Sequence, residues 1–140
     1  MLKKTALVLL LSLSACSAEP FDIEISGPLG RPQLTLKETA GLFQSAPCVY
    51  RLLITRAEPG DPFFLSPDAP VVWSVENPER CAPLPELTYG QAPTGLRSTT
   101  PAVPLREGVR YQIWGEASGS QRGSAVVIFE HGAWRVTSDR

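Results

Sequence analysis

Histidine and methionine each occur once in the 140 residues, and cysteine occurs three times. With His131 the single imidazole and thiols this scarce, a zinc or other metal enzyme would lack ligands. The chain has no Gly-x-Ser-x-Gly elbow, no His-Glu-x-x-His and no phosphate-binding glycine loop, so none of the common local catalytic signatures is written into it. It has no basic excess either. Lys and Arg number 13 against 14 Asp and Glu, for a net charge of −1, which is not the electrostatic footprint of a nucleic-acid-binding domain. Nor is there a long apolar run. The one near the start, residues 6–13, falls well short of the ~20 residues a membrane-spanning helix needs. These absences leave no cofactor or metal to expect and no catalytic residue to nominate.

What is abundant is turn chemistry. All 14 prolines and 11 glycines lie at or beyond Pro20, which leaves little room for helices of ordinary length. Between the turns the pattern alternates. Phe21, Ile23 and Ile25 share one face of a short strand, with Asp22 and Glu24 on the other. A second strand is expected over 33–37, with Leu34 and Leu36 inward, and a brief helical turn over 37–45. The strongest early strand is 48–56, whose core face is read as Cys48, Tyr50, Leu52 and Ile54. Further strands are expected over 71–76 (Val71, Trp73 and Val75 together), 86–89, 111–116, 124–130 and 133–137, with an extended edge over 96–104. His131-Gly132 is a two-residue hairpin signal. Strands at such short intervals define an all-β chain folded as an antiparallel β-sandwich.

Residues 1–16 carry the first resemblance. Lys3 and Lys4 precede the apolar run, which closes on Leu13-Ser14-Ala15-Cys16. The first fifteen residues read as a targeting segment, and the closing tetrapeptide resembles the lipobox of bacterial lipoproteins. The resemblance implies cleavage before Cys16, lipidation of Cys16 with fatty-acyl chains, and attachment to the cell envelope. Several acyl chains together anchor stably where one alone is marginal. Ser17 follows where that family's inner-membrane retention signal is aspartate. The implied address in a Gram-negative cell is therefore the periplasmic face of the outer membrane. Only residues 17–20 separate Cys16 from the first strand, a reach of at most about 14 Å, so the domain would sit close to its membrane. The expected organisation is a signal segment at 1–15, a lipidated terminus and tether at 16–20, a sandwich domain at 21–137 and a tail at 138–140. With Cys16 acylated, an exported domain is left with Cys48 and Cys81, most simply one disulfide.

A second resemblance lies in Leu105-Arg106-Glu107-Gly108-Val109-Arg110-Tyr111. It resembles the Leu-x-x-Gly-x-x-Tyr corner of fibronectin type III and immunoglobulin-like sandwiches, in which the tyrosine hydroxyl bonds nearby backbone. Taken with the turn cluster of residues 89–95, the last half of the chain is similar to small bacterial lipoproteins of uncharacterised function. The disulfide departs from the immunoglobulin pattern. Cys81 falls eight residues after Trp73, and the position two after Tyr111 is Ile113.

For function, two apolar anomalies stand out. Trp114 alternates with Arg110, Gln112 and Glu116 on what should be a polar face. Val72 and either Val126 or Ile128 are expected nearby, forming an apolar patch for a protein partner in the envelope. Alternatively, Trp114 packs beneath a flanking segment. Phe63-Phe64-Leu65 interrupts a proline-rich loop and either plugs the core or offers an apolar contact to a partner or the bilayer. The expectation is a non-enzymatic binding or structural module held at the membrane by its lipid. The rival readings are an inhibitor resembling the lysozyme-inhibiting lipoproteins, through Glu107 to Tyr111, and a hydrolase with a dispersed catalytic set.

Overall fold

Period-two alternation produces strands of the expected kind and in nearly the expected places. The computed structural model describes residues 20–39, 45–57 and 69–137. Ten strands run in chain order: β1 (Phe21–Ser26), β2 (Gln33–Glu38), β3 (Cys48–Arg56), β4 (Val71–Glu76), β5 (Ala82–Pro83), β6 (Glu86–Thr88), β7 (Arg97–Thr100), β8 (Arg110–Ala117), β9 (Arg122–Glu130) and β10 (Ala133–Val136). They form two antiparallel sheets, a small one in the order β1-β2-β6 and a large one in the order β10-β9-β8-β3-β4-β7, with β5 paired to β3. The chain is an all-β sandwich with one disulfide, Cys48–Cys81.

The small sheet follows its sequence pattern closely. Phe21, Ile23, Leu34, Leu36 and Leu87 are buried against the large sheet, while Asp22, Glu24 and Glu86 face water. The opposing inner face of the large sheet brings Leu52, Ile54, Trp73, Val75, Tyr111, Ile113 and Val127 into the same core. The two sheets pack closely where β1 crosses β8 and β9. Gly115 and Gly123 are directly paired there, and together they leave the space that the Phe21 ring fills. A β-carbon on Gly123 would stand 2.6 Å from Phe21 Cδ2 and 2.7 Å from the Phe21 carbonyl oxygen, and one on Gly115 would stand 2.8 Å from Cζ. The first residue of the sandwich is thus also a close contact between its two sheets.

Three expectations about which side chains point inward need correction, and two β-bulges explain them. In β3 the register against β8 shifts between Val49 and Arg51. Val49 therefore takes the core position with no exposure, and Cys48 and Tyr50 are only half-buried. In β4 the register shifts so that Trp73 faces Ile54 and Val71 faces Thr55, with Val72 between them. Val72 turns into the core at 3% exposure, and Val71, expected inside, lies on the outer side at 39%. The disulfide, with Cα atoms 5.2 Å apart, joins the start of β3 to the residue preceding β5. It staples one end of one sheet and does not bridge the two, as its spacing from Trp73 implied.

Two local expectations hold in detail. His131 and Gly132 have φ of 54° and 78°, the doubly positive turn that suits the twist of a two-residue hairpin. Tyr111 is buried, and its hydroxyl accepts a 2.8 Å hydrogen bond from the Arg106 amide, as the corner resemblance implies. A second buried tyrosine, Tyr89, packs edge-on against Trp73 at 5.2 Å. Its hydroxyl lies 2.6 Å from the Val103 carbonyl and 3.1 Å from that of Val72, tying the 101–105 connection to the bulged strand. Burial pushes the Tyr89 hydroxyl up to about 12, against the opposing effect of its bond to Val103.

The helical turn expected over 37–45 falls largely outside the described residues, and its first two, Lys37 and Glu38, end β2. Phe63 and Phe64 also lie outside the described residues, as do Cys16 and the tail.

Candidate functional site

The outer face of the large sheet is built in rungs, because residues paired across antiparallel strands share a face. One rung is Ser74–Leu53–Trp114–Ser124. The next, toward the start of β8, is Val71–Thr55–Gln112–Val126, and beyond it Arg110 pairs with Ile128. Trp114 is half-buried here. Leu53 and Ile128, on the same face, retain 8% and 7% exposure yet stand outside the core cluster. The apolar positions on this face near Trp114 are Leu53, Val126, Ile128 and Val71, of which Leu53 and Ile128 are buried and Val71 is exposed. Val72 cannot contribute, because the bulge has moved it to the other face.

The two ends of this strip differ. Toward the end of β8 the rung is Glu76–Arg51–Glu116–Arg122, alternating in charge across four strands. Arg51 Nε lies 3.6 Å from Glu76 Oε2. A cavity of about 490 Å³ opens beside it, with Tyr50 and Gln121 among its walls. Opposite charges facing across strands satisfy one another, so this end has no net charge to offer a ligand.

At the other end a cleft of about 400 Å³ is lined by Arg56, Arg106, Gly108, Val109, Arg110 and Ile128, with Ala57 at its margin. Three arginines line it from three elements: the end of β3, the corner turn and the start of β8. Backbone hydrogen bonds fix each wall. The Arg106 amide donates to Tyr111, the Gly108 amide to the Phe129 carbonyl at 2.9 Å, and the Ala57 amide to the Arg110 carbonyl at 3.0 Å. Gly108 turns at φ 76°, which favours glycine there. Arg56 Nε is buried without a hydrogen-bond partner, whereas Arg110 has an interaction of its own. A buried, unsatisfied charged donor costs about 1–3 kcal/mol or more.

Trp114 and Arg110 stand out in the sequence, whereas Arg56 and Arg106, which line one cleft with Arg110, do not. The obtainable signal was positional. Arg56 ends a strand and Arg110 begins one, and antiparallel order puts those ends at the same pole.

Among the described residues neither rival chemistry gains an assembled site. His131 is exposed at the hairpin tip, and among the described residues no three His, Cys, Asp or Glu side chains group as metal ligands. Tyr111, the residue an inhibitory Gly-x-x-Tyr segment would present, is 2% exposed with its hydroxyl engaged.

Compared with known proteins, the chain matches no family model, no curated protein and no solved structure.

Proposed function

We propose that this protein is a lipid-anchored, non-enzymatic binding module of the bacterial cell envelope. In this reading it meets a protein partner through the outer face of its large sheet. The observation that carries the proposal is the Trp114 patch. A half-buried tryptophan with Leu53, Val126 and Ile128 stands outside the core on a sheet face, and partly exposed tryptophans at apolar centres are frequent binding hot spots. The anchor is proposed on the resemblance of Leu13-Ser14-Ala15-Cys16 to a lipobox. Phe21, five residues after Cys16, is seated in the Gly115–Gly123 recess. A tether that short ends in a fixed point of the sandwich. The basic cleft would then lie away from the tether, since Arg110 stands five residues along β8 from Gly115, about 17 Å at ~3.3 Å per residue.

The test places a photo-cross-linking residue at Ser124 in the full-length protein and compares capture in envelopes with and without Trp114→Ala. Loss of a specific cross-linked partner, with the unfolding midpoint little changed, is the expected result. The same partner captured equally by both forms at equal stability would remove this face from the account. Val136→Ala, at the exposed β10 edge, serves as the control and should leave capture intact.

A further inference from the structure

We infer that the cleft between Arg56, Arg106 and Arg110 is a binding site for a phosphoryl group. The inference stands on the cleft alone and survives if the Trp114 face proves inert.

Arg56 and Arg106 carry it. No ion pair joins either to an acid among the described residues, and the described lining of the cleft contains no carboxylate. Glu130, which closes β9, is paired with Arg135, and Glu107 is exposed at the turn tip. Arg110 adds a third positive wall, although it already has a partner of its own. Concentrating like charges in one cleft is unfavourable unless something of opposite sign shares it, and the chain as a whole has no basic excess to spread.

Guanidinium is the side chain suited to such a ligand. Its fixed fork of donors matches tetrahedral and planar oxyanions, and paired N–H groups can hold two oxygens at once. Two such forks, those of Arg56 and Arg106, favour a dianionic phosphate ester over a singly charged carboxylate. The apolar floor of Val109 and Ile128 lowers the local dielectric and strengthens the attraction. The walls are also pinned by backbone hydrogen bonds, so little ordering is needed on binding.

The experiment titrates the full-length protein in detergent with inorganic phosphate at pH 8, at constant ionic strength, by calorimetry. Vesicles of phosphatidylglycerol, with phosphatidylcholine vesicles as control, form a second arm. The expected result is saturable binding that Arg56→Gln and Arg106→Gln each weaken by about tenfold, the scale of one lost charge-assisted contact. Arg106→Lys should recover part of the loss, and Arg31→Gln, at the turn of the small sheet, should bind like the parent chain. Saturation by inorganic phosphate identifies a free phosphoryl group as the ligand. Binding only to phosphatidylglycerol, lost in the same two variants, assigns the lipid headgroup to the same site. No saturable binding in either arm, or equal binding by parent and variants, would overturn the inference. Arg106 is exposed, so its variants keep the test valid should Arg56→Gln fail to fold.

Discussion

Replacing Gly123 with alanine probes the point on which the sandwich closes. The added methyl would collide with the Phe21 ring, standing 2.6 Å from Cδ2 and closer still to Cε2, and would lie 2.7 Å from the Phe21 carbonyl oxygen. Rotating the ring relieves only the first contact; the second requires β1 itself to move. Overpacking of this kind costs about 1–3 kcal/mol. If β1 shifts far enough to uncover Phe21, now 2% exposed, part of the ~1.5–3 kcal/mol from burying that ring is lost as well. The expected total is about 2–4 kcal/mol. Gly115→Ala meets the ring but comes no closer than 3.7 Å to backbone, so it should cost less. Gly30→Ala, with nothing within 4 Å of the new atom, should fall within ~0.5 kcal/mol of the parent. Urea unfolding of the oxidised protein measures all three. A Gly123→Ala variant as stable as Gly30→Ala would show that Phe21 is not seated between the sheets, and the fixed tether point would fail with it.

Two further perturbations test other ties. Replacing Cys48 and Cys81 together with alanine opens a cross-link of sequence separation 33, worth roughly 3.8 kcal/mol in the chain-entropy account; a change below about 1 kcal/mol in urea unfolding would contradict that role. Tyr89 supplies a pH signature. Its folded value is raised from 10.0 to about 12, so the folded state holds its proton more tightly. Its contribution is therefore fully present below pH 10 and is lost as pH rises from 10 toward 12, at up to about 1.4 kcal/mol per unit. Tyr89→Phe should flatten that alkaline slope, and an unchanged slope would refute the assignment.

Much of the architecture was legible because the period of side-chain exposure is set by the strand itself. Phe21 to Ile25 read correctly because alternation runs unbroken through them, and the His131-Gly132 turn because both residues take positive φ. Where alternation fails, the reading fails at the same residue. A bulge inserts one residue without marking the sequence, so Cys48 was read as inward in place of Val49, and Val72 as outward in place of Val71. β5 escaped notice because two residues, Ala82 and Pro83, are too few to show a period. The candidate site was half legible. Trp114 broke its local pattern and could be found alone, but Arg56, Arg106 and Arg110 each look like ordinary surface charge until strand order brings them to one pole. The partners of Trp114 depended on register in the same way: Leu53 lies 61 positions earlier in the chain and becomes its neighbour only through the β3–β8 pairing.

The anchor is the part of the account on which location, orientation and access to a partner all depend. Growing bacteria that express the full-length protein with labelled palmitate, and comparing it with Cys16→Ser, tests that claim most directly. The account predicts a labelled protein beginning at residue 16 that partitions with membranes, and an unlabelled Cys16→Ser form. An unlabelled parent protein, or label that persists in Cys16→Ser, would contradict it.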